Sequence, residues 1–115
     1  MKIRALTLTT LAVAALSACS GSSPADTKYQ QTWTTPYSQT HCSDYLTQMT
    51  DRQRWVMAAD MLTGARKVDG GSTVPADAVV TRFKGQLATA CQGETSTLAN
   101  EVAVVLYQMD SSYQP

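Results

Sequence analysis

Apolar positions between residues 40 and 110 recur at helical spacing, and the spacing predicts four helices. Thr40 is placed to cap a first short helix carrying Cys42, Tyr45, Leu46 and Met49 on one face. Thr50-Asp51-Arg52-Gln53 has the form of a capping box, with Asp51 where the helix dipole favours negative charge. A second helix therefore starts there, and the stripe Trp55, Ala59, Leu62, broadened by Val56 and Met57, makes Trp55 an expected core anchor. Gly64 weakens its end, and residues 68–73 form a polar loop. Pro75 fits the first position of a third helix, in which Val79, Val80, Phe83, Leu87, Ala90 and Cys91 make the most regular stripe of the chain. Gly93 is expected to end it in the left-handed conformation. Thr95, Ser96 or Thr97 then caps a fourth helix with Leu98, Val102, Val105 and Met109 on its inner face and Leu106 alongside. The β-branched Val102, Val104 and Val105 also permit a strand, but the spacing supports a helix. Residues 111–115 read as a frayed tail.

Before residue 40 the pattern changes. Met1 to Arg4 is a positively charged start, Ala5 to Leu16 is a run of apolar and small residues, and Leu16-Ser17-Ala18-Cys19 matches the lipobox of bacterial lipoproteins. A dozen weakly apolar residues fall short of the roughly 20 that span a bilayer. Residues 1–18 thus read as a lipoprotein signal peptide and Cys19 as the lipidation site, its acyl chains anchoring the mature protein in the bilayer. An ordinary secretory signal cleaved after Ala18 is the other reading, and it leaves an odd cysteine to explain. Residues 19–39, rich in Ser, Thr, Gln and Pro, are expected to be a lipid-anchored flexible tether. Tyr29, Trp33 and Tyr37 recur in it at spacings of four; either they pack back onto the domain or they form a sticky segment for a partner. The expected location is the periplasmic or extracellular face of a bacterial cell membrane.

Composition narrows the chemistry. The 115 residues allow one domain. Loss of Lys2 and Arg4 with the signal peptide leaves seven basic against nine acidic residues, a net charge of −2, with no electrostatic footprint for nucleic acid. With Cys19 lipidated, Cys42 and Cys91 remain to pair, and an exported compartment permits their oxidation. Their 49-residue separation gives about 4 kcal/mol of stabilisation on the chain-entropy account, a large share of what so small a domain can have.

His41 is the only histidine, so neither a four-ligand zinc site nor a Ser-His-Asp arrangement can be assembled, and no metal or other cofactor is expected. An oxidised Cys42 beside it is no nucleophile. His41 is expected to be an exposed first-turn residue with an influence on stability near pH ~6. The carboxylates are scattered over helix starts and polar faces, and Met49, Met57, Met61 and Met109 fit core filling. Nothing here composes an enzyme.

One resemblance adds to this reading. Cys42-Ser43-Asp44-Tyr45-Leu46 is similar to the Cys-x-Asp-aromatic-Leu opening of the HdeA/HdeB-type acid-stress chaperones of the bacterial periplasm. Ala90-Cys91-Gln92 closes a helix at nearly the same separation, and the helices follow in the same order over residues 41–109. The resemblance implies an all-α, four-helix, single-disulfide domain, here residues 40–110, bridged by Cys42 and Cys91. It also implies partial unfolding at low pH and binding of unfolded clients through apolar faces around Trp55, Phe83 and Leu87. A homodimer is a further expectation. The chain departs from the family in its lipobox and in lacking a lysine-rich tail after Met109. A reading of another class is a tethered envelope interaction protein, such as a phage or prophage superinfection-exclusion lipoprotein. Acid-exposed apolar surface would mark the first and a native partner at neutral pH the second.

Overall fold

The computed structural model describes residues 27–115, so the signal peptide and Cys19 lie outside it. Four helices form: α1 (Cys42–Thr47), α2 (Asp51–Val68), α3 (Asp77–Gln92) and α4 (Ala99–Met109). Short 3-10 turns, η1 (Tyr37–Gln39) and η2 (Ser111–Tyr113), flank them. No strand forms among the described residues beyond an isolated bridge between His41 and Leu98.

The local signals act as expected where the partners are close in sequence. Gln53 N–H donates to Thr50 Oγ1 at 3.1 Å and Thr50 N–H donates to Gln53 Oε1 at 2.8 Å, closing the capping box of α2. The stripe on α3 is buried at Val80, Phe83, Leu87 and Cys91, and this helix packs against each of the other three. Tyr45, Met57 and Leu62 complete the interior around it. Cys42 in the first turn of α1 is bonded to Cys91 near the end of α3, with Cα atoms 5.0 Å apart, inside the ordinary range. Tyr45 donates its hydroxyl to the Lys84 carbonyl at 2.9 Å, a second tie between the same helices. Burial pushes that phenol above its ordinary value, so it remains a neutral donor.

Elsewhere tertiary contacts override the local reading. Thr40 is fully buried and His41 takes the N-cap position of α1. The Thr40 hydroxyl donates to the Pro36 carbonyl and accepts from Trp33 Nε1, both at 2.9 Å, while its carbonyl accepts Ala99 N–H at 2.8 Å. The free N–H groups of Cys42 and Ser43 donate to the carbonyls of Thr97 and Thr95. Those threonines therefore close the start of α1 with their backbone, and Leu98 stands at the N-cap of α4 without a side-chain bond. Helix α3 begins at Asp77, two residues beyond Pro75. Gly93 keeps a right-handed φ of −87°, and the left-handed glycine is Gly70, φ 86°, just past the end of α2.

Two expectations are corrected outright. The buried face of α4 is Ala99, Val102, Ala103 and Tyr107, so Val105 (52 % exposed) and Met109 (79 %) point outward. The tail is not frayed. Asp110 Oδ1 accepts Ser112 N–H at 2.9 Å, turning the chain back so that Tyr113 is fully buried. The Tyr113 ring stands edge-on to Phe83 with centroids 5.0 Å apart, and its hydroxyl donates to Gln86 Oε1 at 2.6 Å. Arg66 donates to its carbonyl at 2.8 Å.

Candidate functional site

The described part of the expected tether, residues 27–39, is laid against α2 as a strap. Tyr29 and Tyr37 make the contacts with α2, and Trp33 holds the strap to Thr40. The Tyr29 ring lies 5.7 Å from that of Trp55, and the Lys28 ammonium sits 5.4 Å and 5.7 Å from the two ring centres. Trp33 is held by Thr40, and the Tyr37 hydroxyl donates to Asp60 Oδ2 at 2.8 Å. Of the two readings of these residues, packing back onto the domain is the one observed.

Polar ties fix the strap along its length. Lys28 donates to both carboxylate oxygens of Asp77, at 2.7 and 2.9 Å, reaching the first turn of α3. The Arg52 guanidinium donates to the Thr27 carbonyl, and Gln53 Nε2 donates to Thr32 Oγ1 at 3.2 Å. Most of these groups are exposed, so the ties confer order more than stability.

The three residues expected to bind clients do not share one surface. Phe83 and Leu87 are buried in the centre of the domain. Trp55 is half-buried at the edge of α2, under Tyr29, with Nε1 donating to Thr81 Oγ1 at 3.3 Å. It is not the core anchor expected of it, because Val56, Met57, Ala58, Ala59 and Leu62 take the inner face of α2 and turn Trp55 to the seam. Reaching all three residues requires the strap to leave and the helices to separate. Apolar side chains already open to solvent lie elsewhere, at Val68 and Val74 beside the α2–α3 loop and at Val104, Val105 and Met109 on α4.

The carboxylates divide by environment. Burial raises Asp60 above the usual carboxylate range, against the opposing effect of the Tyr37 hydroxyl, and Tyr37 itself is raised by burial and by that carboxylate. Asp51 is held below the range by the Lys84 ammonium, which bonds it at 2.7 Å from α3. Asp110 is held low by the Ser112 hydroxyl and N–H. Burial and the Asp69 carboxylate 2.6 Å away push the Tyr107 hydroxyl up to about 12.

Among the described residues no cluster of three metal-ligating side chains occurs, and no helix is long and apolar enough to cross a membrane. His41 lies exposed at the start of α1, 3.6 Å from Asp44. Sequence reasoning missed the polar ties of the strap and the role of Tyr113. The aromatic spacing of four was the one signal for the former; a lone tyrosine in a polar tail gave none for the latter.

These features define a small single-disulfide helical domain, with apolar surface covered by a strap tied in part to carboxylates. The HdeA/HdeB family matches residues 8–98, most of the chain, and the chain belongs to that family. It is a family of acid-stress periplasmic chaperones that bind unfolded client proteins and form dimers. No curated protein and no solved structure matches the chain.

Proposed function

We propose that this chain is a membrane-anchored, acid-activated chaperone of the bacterial envelope, held at the bilayer through acylated Cys19 and binding unfolded clients through Trp55, Phe83 and Leu87. The observation that carries the proposal is the strap over Trp55, whose tie to α3 is the ion pair of Lys28 with Asp77. Below about pH 3 carboxylates are largely protonated. That pair then loses its attraction, and the seven basic residues of the mature chain with His41 leave a charge near +8. Self-repulsion opposes compactness in a domain with so small a core.

The pH direction follows from the individual groups. Asp51, low in the folded state, contributes stability above the ordinary carboxylate range and loses it as pH falls through its lowered value. Asp110 acts in the same sense on the turn that seats Tyr113. Asp60 acts oppositely: its raised value means the folded state holds the proton more tightly, so it resists acid opening. The Cys42–Cys91 bond limits expansion at every pH. The product is a compact state with helices retained and apolar faces exposed.

The test uses the exported protein carrying Cys19→Ser. It should suppress light scattering by an acid-denatured client below about pH 3 and not at neutral pH. A protein that stays closed in acid, or opens and precipitates without protecting the client, would refute the proposal.

One observation favours a second reading, the tethered interaction protein. Val104, Val105 and Met109 are exposed on α4 in the folded state, which offers an envelope partner an apolar stripe without any acid step. A native partner recovered from the membrane at neutral pH, and lost on Val105→Asp, supports that reading.

A further inference from the structure

A cavity of about 600 Å³ runs between α2 and α4, within the size range of small-ligand sites. Its floor and walls are apolar, built by Met61, Leu62 and Ala65 of α2 and by Ala103 of α4, with Phe83 beneath. Its charged groups are of one sign, beside the neutral Asn100, Tyr107, Gln108 and Gln114. Asp60 and Asp69 both border it, and no lysine, arginine or histidine does. The Asn100 side-chain oxygen, also in its wall, is buried with no hydrogen-bond partner.

The two carboxylates stand at opposite ends. They are nine residues apart, Asp60 within α2 and Asp69 at its C-cap, a span of about 13 Å at the helical rise. Asp60 is at the η1 end, bonded to Tyr37, where Ala99 next to Asn100 is bonded to Thr40. Asp69 is at the other end, where it accepts the Tyr107 hydroxyl. In each carboxylate Oδ2 is taken by that tyrosine, and Oδ1 has no protein donor among the described residues. The nearest cation on α2, Arg66, is directed to the Tyr113 carbonyl.

An acceptor at each end, a stranded acceptor near one of them and methylene-compatible walls between them describe the complement of a flexible chain with positive ends. We propose that this groove binds an aliphatic polyamine of about spermidine length, its terminal ammonium groups at Asp60 with Asn100 and at Asp69, its methylenes along Met61, Ala65 and Ala103. An ammonium donor at Asn100 satisfies an acceptor that otherwise stays buried and unpaired. An anion meets two carboxylates, and a neutral alkyl chain leaves all three acceptors unserved. The α4 wall lies beyond residues 8–98, so the groove is not argued from the family match. The inference is independent of the chaperone proposal, since it concerns the closed state.

The test titrates spermidine into the protein purified as Cys19→Ser, so that no acyl chain competes for the cavity, and follows amide resonances at neutral pH. Saturable shifts confined to residues 60–69 and 100–108 are expected, weaker with octylamine and absent with octanoate. Asp60→Asn and Asp69→Asn should each weaken binding by about tenfold or more, the loss of a charged hydrogen bond. Asp69 is exposed at the end of α2, so its variant carries the test should Asp60→Asn fold poorly. Shifts spread equally over the exposed Asp51 and Glu94, undiminished binding by both variants, or equal binding of octanoate would each overturn the inference.

Discussion

Two regions of this domain cover apolar surface by different means. The centre, where α1 and α3 meet, is closed by the disulfide and by the packing of Phe83 and Leu87, none of which acid titrates. The strap over Trp55 is closed by exposed and part-buried polar contacts, and two of its tied positions end on carboxylates, Asp77 and Asp60. The first kind of closure is strong and indifferent to pH; the second is weak and responds to it. A protein that must expose binding surface in acid without losing its fold has reason to keep the two apart, and here the strap is tied to α2 and the first turn of α3 while the disulfide joins α1 to the far end of α3.

The largest effect that sharpens this contrast comes from the staple. Replacing Cys42 and Cys91 by serine should cost about 4 kcal/mol by the loop-entropy account, seen as loss of the cooperative thermal transition. Next, Phe83→Ala should destabilise by about 3–5 kcal/mol in denaturant unfolding. Tyr113→Ala should fall in the same class, and a near-neutral result there would return the tail to a frayed end. Trp55→Ala, at a half-buried seam, should cost less than either.

That ordering also shows what the chain made legible. The Thr50–Gln53 box and the α3 stripe were readable because their determinants lie within one helix and one period. The inner face of α4 was not, since a helix with Val102, Val104, Val105, Leu106 and Met109 offers apolar residues on nearly every side, and the packing against α2 and α3 selects Ala99, Ala103 and Tyr107. The caps at Thr40 and Thr95–Thr97 misled because these backbones bond across the fold, residue 40 to residue 99 and residue 42 to residue 97. For the candidate site, the identity of the apolar residues was readable and their depth was not: Phe83 and Leu87 went inside while Trp55 stayed at the edge. The groove between α2 and α4 had no signal, because Asp60 and Asn100 are brought to one cavity only by the fold.

Smaller effects test the strap itself. Asp77→Asn should leave the thermal midpoint nearly unchanged and raise amide exchange in residues 27–39 at neutral pH, since it removes only the exposed partner of Lys28. Asp60→Asn, which keeps an acceptor for Tyr37 but no charge to bury, should raise stability at neutral pH and leave it unchanged once the wild-type carboxyl is protonated. A fall in neutral-pH stability would show that the charge of Asp60 is needed to hold the strap.

The central claim is that acid frees the strap while the stapled centre persists. Hydrogen exchange by mass spectrometry on the full chain, compared at neutral pH and near pH 3 after correction for intrinsic rates, tests it most directly. The account predicts that residues 27–39 lose protection in acid while α3 around Phe83 to Cys91 retains most of its own. Loss of protection in both regions together, or a strap that stays protected while clients are held, would contradict it.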